Sequence, residues 1–197
     1  IALQVAAHEA KQGHATLAHE IRELVDNHRK RVHRGLTVVP FPQELKGLVV
    51  SESPDVPFKS LVAPQATLER FRRVIKEFYQ RGKLQQHGLS NRRRILLAGP
   101  PGTGKTLSAR VLAHELKLPL YTVQVDRLVT KFMGETSAKL RQIFDIMEQK
   151  QGVYFFDEFD AIGGDRSLDN DVGEMRRVLN ALLQFIEQDQ SDSIIVA

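Results

Sequence analysis

The chain has 197 residues, 42% of them hydrophobic and 26% charged, a composition ordinary for a globular protein with one sizeable core and an appendage. Its 28 basic and 24 acidic residues leave a net +4, a mild excess that favours an acidic partner without requiring one. The absence of cysteine excludes disulfides and thiolate metal sites and suits a reducing, cytoplasmic compartment. No apolar run approaches the roughly 20 residues of a membrane span.

Residues 1–34 read as a helical hairpin. Leu3, Ala6, Ala7 and Ala10 form one apolar stripe, and Leu17, Ile21, Leu24 and Val25 form a second, with Gly13 as the breaker between them. The basic end of the second helix, Arg29 to Arg34, reads as a solvated face complementing the helix dipole. His8-Glu9 and His19-Glu20 each lack the second histidine of H-E-x-x-H and read as exposed helix residues. Residues 35–57, with Pro40, Pro42, Pro54 and Pro57, read as an extended linker in which Leu48-Val49-Val50 can form a short strand or pack on a neighbour. Residues 65–86 read as one helix with Leu68, Phe71, Val74, Ile75 and Phe78 on one face.

From Arg94 onward strands and helices alternate. Strands are expected at Ile95–Ala98, Leu120–Val125, Val153–Phe156 and Ser193–Ala197. Helices are expected at Lys105–Leu116, Thr136–Glu148 and Val172–Gln188. This alternation predicts an α/β fold, a parallel sheet flanked by helices.

The first strand runs into Gly99-Pro100-Pro101-Gly102-Thr103-Gly104-Lys105-Thr106, which fits G-x-x-x-x-G-K-[ST] in the strand–loop–helix context that pattern needs. Glycines let backbone N–H groups turn inward around phosphate oxygens, and the following helix presents its positive end to the same anion. Lys105 then supplies a point charge near the outer phosphates, and the Thr106 hydroxyl is a candidate ligand of Mg²⁺. The strand Val153–Phe156 delivers two adjacent carboxylates, Asp157 and Glu158, at the edge where open parallel sheets bind ligands. Asp157 is the candidate for the metal shell, and Glu158, one residue further out, for polarising a water. Asp160 reads as a helix cap.

With these residues in place, GPPGTGKT at Gly99–Thr106 and FFDEFD at Phe155–Asp160 resemble the nucleotide motifs of the AAA ATPases. The resemblance runs from about Phe58 to Ala197. Lys131-Phe132-Met133-Gly134-Glu135-Thr136 is similar to the pore loop and helix start of the protein-remodelling members. It implies ATP and Mg²⁺ as ligands, and cofactor-binding residues Gly99, Pro101, Gly102, Thr103, Gly104, Lys105, Thr106 and Leu107. Leu61 and Val62 would lie against adenine, with Ser60 and Ala63 standing where the family has an acid and a glycine. Glu158 and Lys105 would be catalytic, and Thr106 and Asp157 would hold the metal. The resemblance further implies a homohexamer gripping a polypeptide through Phe132, and a protease or adaptor partner acting in trans.

The domain reading is therefore an appendage at 1–34, a linker at 35–57 and a large α/β AAA subdomain at 58–197. The family's first sensor, arginine fingers and lid would follow Ala197, so the segment alone is expected to bind nucleotide better than it hydrolyses it. Arg176 and Arg177 do not match the finger positions and read as surface or subunit-interface residues. The function expected is an ATP-driven motor that remodels, unfolds or translocates protein. Two alternatives stand beside it. One is a nucleic-acid motor or clamp-loader-like ATPase, suggested by Arg70–Arg73 and Arg92–Arg94. The other is a nucleotide-controlled assembly module, against which Glu158 argues.

Overall fold

The computed structural model describes residues 41–131, 135–159 and 169–197. The helical hairpin expected at 1–34 lies outside them. Among the described residues a five-stranded sheet forms, in the order β1-β3-β4-β5-β2: Val49–Glu52, Leu120–Gln124, Val153–Asp157, Ile194–Val196 and Arg94–Ile95. Four strands run parallel, with Tyr121 beside Tyr154, Tyr154 beside Ile195, and Ile95 beside Val196. Strand β1 is antiparallel on one edge, Val49 opposite Val123 and Glu52 opposite Leu120.

Strand β4 explains why the sheet is covered on both faces. Val153, Tyr154, Phe155 and Phe156 are all buried, which only a strand between two helical layers can achieve. Alternation sends Tyr154 and Phe156 to one face and Val153 and Phe155 to the other. On the first face they meet Leu140, Ile143 and Met147 of α5 (Thr136–Gln149) and Leu182 of α6 (Asp169–Gln188). On the second they meet Val111, Leu112 and Leu116 of α3 (Lys105–Leu116) and Phe71, Val74 and Phe78 of α1 (Gln65–Tyr79). No helix of the described residues is long and apolar enough to cross a membrane.

Three local readings change. The helix expected over 65–86 breaks at Gln80 into α1 and α2 (Arg81–Gln86). The apolar stripe stops at Phe78, Gly82 lowers helix propensity, and Arg81 donates to the freed Phe78 carbonyl at 3.1 Å. Val125, expected to end a strand, instead opens α4 (Val125–Lys131), with Asp126 in its first turn. Formal strand β2 covers only Arg94–Ile95, although the pairing continues: Leu97 N–H donates to Ala197 O at 2.7 Å, and Ala197 N–H to Ile95 O at 3.0 Å.

Within the described part of the expected linker, 41–57, Val49–Glu52 pairs with β3, the short strand that Leu48-Val49-Val50 was expected to allow. Leu45 and Leu48 are buried in the first core, Gly47 turns the chain at φ +86°, and β1 follows. Prolines flank this short strand and half of its residues are exposed, so its pattern is weak against a linker composition.

Phe41 packs edge-on against Tyr121 at 5.2 Å between ring centroids, and Tyr121 lies 4.8 Å from Tyr154. The Tyr154 hydroxyl donates to Lys150 O at 3.0 Å, and burial pushes its pKa up, so it remains a donor. Gly152 is required here by space, because a Cβ would stand 2.5 Å from Tyr121 Cε2 and 3.1 Å from Pro119 O. Gly152→Ala is expected to displace the Tyr121 ring and destabilise the fold by about 1–3 kcal/mol, as overpacked cores do. A urea titration showing an unchanged midpoint would refute the contact.

Candidate nucleotide site

The site is built at the carboxyl edge of the parallel strands. Strand β2 leads into the loop 99–104, and α3 starts directly after it, with Ser108 N–H donating to Gly104 O at 2.8 Å. Gly102 (φ +81°) and Gly104 (φ +89°) adopt left-handed backbone that a side chain would strain. Gly99 is needed for a different reason: a Cβ there would meet Thr103 Oγ1 at 2.8 Å. That hydroxyl donates to Pro100 O at 2.8 Å and closes the loop. The first-turn N–H groups of α3 have no carbonyl four residues back within the helix and face the loop end, an arrangement that favours an anion. Lys105 Nζ donates to Gly99 O at 2.8 Å and Pro100 O at 3.3 Å, so its ammonium is held over the loop by neutral carbonyls.

Strand β4 delivers the second half. Asp157 is its last residue, half-buried, and Glu158 follows, exposed, at φ +56°. Its N–H donates back to Asp157 Oδ1 at 3.0 Å. A left-handed non-glycine residue costs about 1–3 kcal/mol and is most often found where a site over-determines the backbone. Strand β5 lies between β2 and β4, so the loop and the two carboxylates flank its end, with Ala197 between them.

A cleft of about 830 Å³ results. Of the residues expected here, Gly99, Pro101, Gly102, Gly104, Lys105, Thr106, Asp157 and Glu158 all line it. Thr103 and Leu107 do not, Thr103 serving the loop instead. Nor do Leu61 and Val62: Leu61 packs into the core with Phe71 and Val74, and Val62 is 93% exposed. Phe132, Met133, Gly134 and Asp160 lie outside the described residues. Thr136, just after that loop, is buried, and its hydroxyl lies 3.3 Å from Leu128 O as donor. Arg176 and Arg177 are exposed on α6.

The structure adds lining that sequence reasoning did not assign to the site, including Leu96, Phe159 and Ala197. Leu96 is 73% exposed, an apolar side chain at a strand end with no core to enter. The sequence places it in the expected strand Ile95–Ala98 without assigning it to the site, and its position beside the cleft accounts for an exposed apolar side chain here.

The chemistry of this donor set fits a magnesium nucleotide. The cleft joins an amide-rich loop and one ammonium to a hydroxyl and two carboxylates, and Mg²⁺ is commonly held by one or two carboxylates together with phosphate oxygens.

Comparison with known proteins agrees. The family model "ATPase family associated with various cellular activities (AAA)" matches residues 95–197, which contain both halves of the cleft. The chain belongs to the AAA ATPase family. The uncharacterized AAA family ATPase y4kL of Sinorhizobium fredii is 34% identical to this AAA ATPase over 201 aligned positions, covering 100% of the chain and 61% of y4kL. The 26S proteasome regulatory subunit 7 of Dictyostelium discoideum is 32% identical over 174 positions, 85% of this chain and 39% of its own length. A proteasome-activating nucleotidase of Methanoculleus marisnigri is 32% identical over 150 positions, 75% of this chain and 36% of its own. The AAA ATPase described here thus spans less than two thirds of each of these relatives.

Proposed function

We propose that this chain carries the nucleotide-hydrolysing site of an AAA motor that remodels, unfolds or translocates proteins. The observation that supports the reading is the shared cleft, in which the loop 99–106 and the pair Asp157–Glu158 reach one space from two separate strands. In this reading the loop amides and Lys105 bind the phosphates of ATP, and Leu61 and Val62 approach adenine from the segment before α1. Thr106 and Asp157 would hold Mg²⁺, which supplies neutralisation of phosphate charge when bound. Glu158, exposed beside Asp157, accepts the proton of a water aimed at the outer phosphate. Its left-handed backbone at φ +56° supports the reading, since such conformations cluster at functional sites.

The protein-directed part of the proposal rests on Lys131 to Thr136, which resembles a pore loop, and on the proteasomal names of two relatives. In a homohexamer Phe132 would offer a large apolar contact to a threaded chain whatever its sequence, with a protease or adaptor receiving the product in trans. Phe132→Ala in the full-length protein is expected to leave ATP affinity intact and basal hydrolysis within a few-fold. Stimulation of hydrolysis by an unfolded protein should disappear, along with substrate unfolding. A core phenylalanine would behave differently, because its loss costs about 3–5 kcal/mol and lowers the melting temperature. Melting and unfolding assays on one preparation decide the matter, and a stable variant that unfolds substrate at the parental rate overturns the motor reading.

A further inference from the structure

Charge is unevenly distributed along this chain. Residues 65–94 hold nine Arg or Lys and two Glu, a net of +7, whereas the whole chain is +4 and the remainder therefore sums to −3. Part of that excess is structural. Arg93 binds the Asp189 carboxylate at 2.9 Å and the Ser191 carbonyl, and Arg94 donates to Glu187 O at 3.1 Å and Asp189 O at 3.3 Å. Arg72 and Arg81 lie over the rings of Phe58 and Phe78.

A second group is not used in this way. Helix α1 buries Phe71, Val74 and Phe78 and leaves Arg70, Arg73 and Lys76 exposed at three-residue intervals. This is one ridge of the helix, with side chains about 4.5 Å apart along the axis. Arg70 and Lys76 have no side-chain partner among the described residues. Arg73 is 67% exposed and Arg92 48% exposed, and the two share one carboxylate: Arg73 Nε stands 3.0 Å and Arg92 Nε 3.5 Å from Glu77. Among the described residues, the ion pairs of these four cations are made to one acid, Glu77, while Glu69 lies exposed beside Arg70.

We propose that this ridge, widened by Arg92, is a docking surface for an acidic helical segment of a partner protein. The Glu77 pairing shows what the surface accepts, since a carboxylate already sits between two of its guanidiniums. Glutamates at i, i+3 and i+4 spacing recur at the same pitch as the ridge, so a helix lying along α1 sets carboxylate against cation at each step. A nucleic acid fits less well, because about 6–10 phosphate contacts accompany strong backbone binding and this face, with Glu69 and Glu77 among its four cations, offers a net of about two. The surface is separate from the nucleotide cleft and does not depend on the motor reading.

The test uses the full chain and a fluorescein-labelled helical peptide of Glu and Ala with Glu at every third or fourth position, followed by anisotropy at 50 and 200 mM salt. Binding at low salt that weakens by about tenfold or more at high salt is expected for a contact of this charge. Arg70→Glu with Lys76→Glu should lower affinity at least tenfold. Lys46→Glu with Lys117→Glu, which changes net charge equally at two exposed positions elsewhere, should leave it within about twofold. Should the reversal variant melt early, Arg70→Gln with Lys76→Gln replaces it and should lower affinity several-fold. Equal losses in the two pairs, no binding at 50 mM, or tighter binding of a single-stranded oligonucleotide of the same formal charge would each overturn the proposal.

Discussion

Glu158→Gln is expected to leave ATP binding intact while turnover in the full-length protein falls by about 10²-fold or more, the usual contribution of a positioned general base. The substitution keeps length, shape and the capacity to hydrogen-bond, and removes only the proton acceptor. Backbone cost does not confuse the result, because glutamate and glutamine bear the same penalty at φ +56°. The Asp157 carboxylate should still receive the amide of residue 158, so the strand end keeps its geometry. With hydrolysis blocked and nucleotide retained, the variant should accumulate in an ATP-bound, assembled state. Steady-state phosphate release and nucleotide retention by filtration measure the two properties separately. Hydrolysis at the parental rate would show that another group polarises the water.

Lys105→Ala is expected to weaken ATP binding at least tenfold, in line with the roughly 1.5–3 kcal/mol of a hydrogen bond to a charged group. Among the described residues that line the cleft, Lys105 is the sole cation. The ammonium also ties Gly99 O and Pro100 O together. Its loss therefore releases part of the loop as well as removing charge. Lys105→Met keeps the stem and drops the ammonium, so it separates stem from ammonium: a loss equal to that of alanine assigns the whole effect to the ammonium, its charge and its loop hydrogen bonds together. Calorimetric titration is the direct measurement, and unchanged affinity in both variants would remove the loop from nucleotide binding.

The loop 99–106 was legible because the pattern G-x-x-x-x-G-K-[ST] demands rare residues in fixed order. Glycines at 102 and 104 are needed for positive φ, a lysine for charge and a threonine for its hydroxyl, and few other roles need that set. Strand β4 was legible for a related reason, since four consecutive large apolar residues ahead of two carboxylates fit a strand buried on both faces. The helix over Lys105–Leu116 was read to the residue, because a glycine precedes it and Lys117, at φ +58°, closes it. Pattern and packing part company at the segment before α1. Leu61 and Val62 sit in one apolar stretch, yet Val62 is 93% exposed while its neighbour Leu61 enters the core, and neither is among the residues that line the cleft. One-residue differences of facing are invisible to composition.

By itself the sequence determined the class of fold, the glycine-rich loop ahead of α3 and the pair of carboxylates at the end of β4, since each depends on local geometry or on residue chemistry that few alternatives satisfy. The tertiary structure decided what depends on distant neighbours. It placed β5 between β2 and β4, so that Ala197 and Phe159 join the cleft. It drew Val49–Glu52 into the sheet through pairing with a strand some seventy residues away. It also gave Glu158 its left-handed backbone, and it sorted the arginines of 65–94 into those that brace the fold and those that remain exposed. The physical reason is common to all four: strand pairing, burial and charge compensation are set by residues far apart in the chain, and no local window of sequence contains both partners.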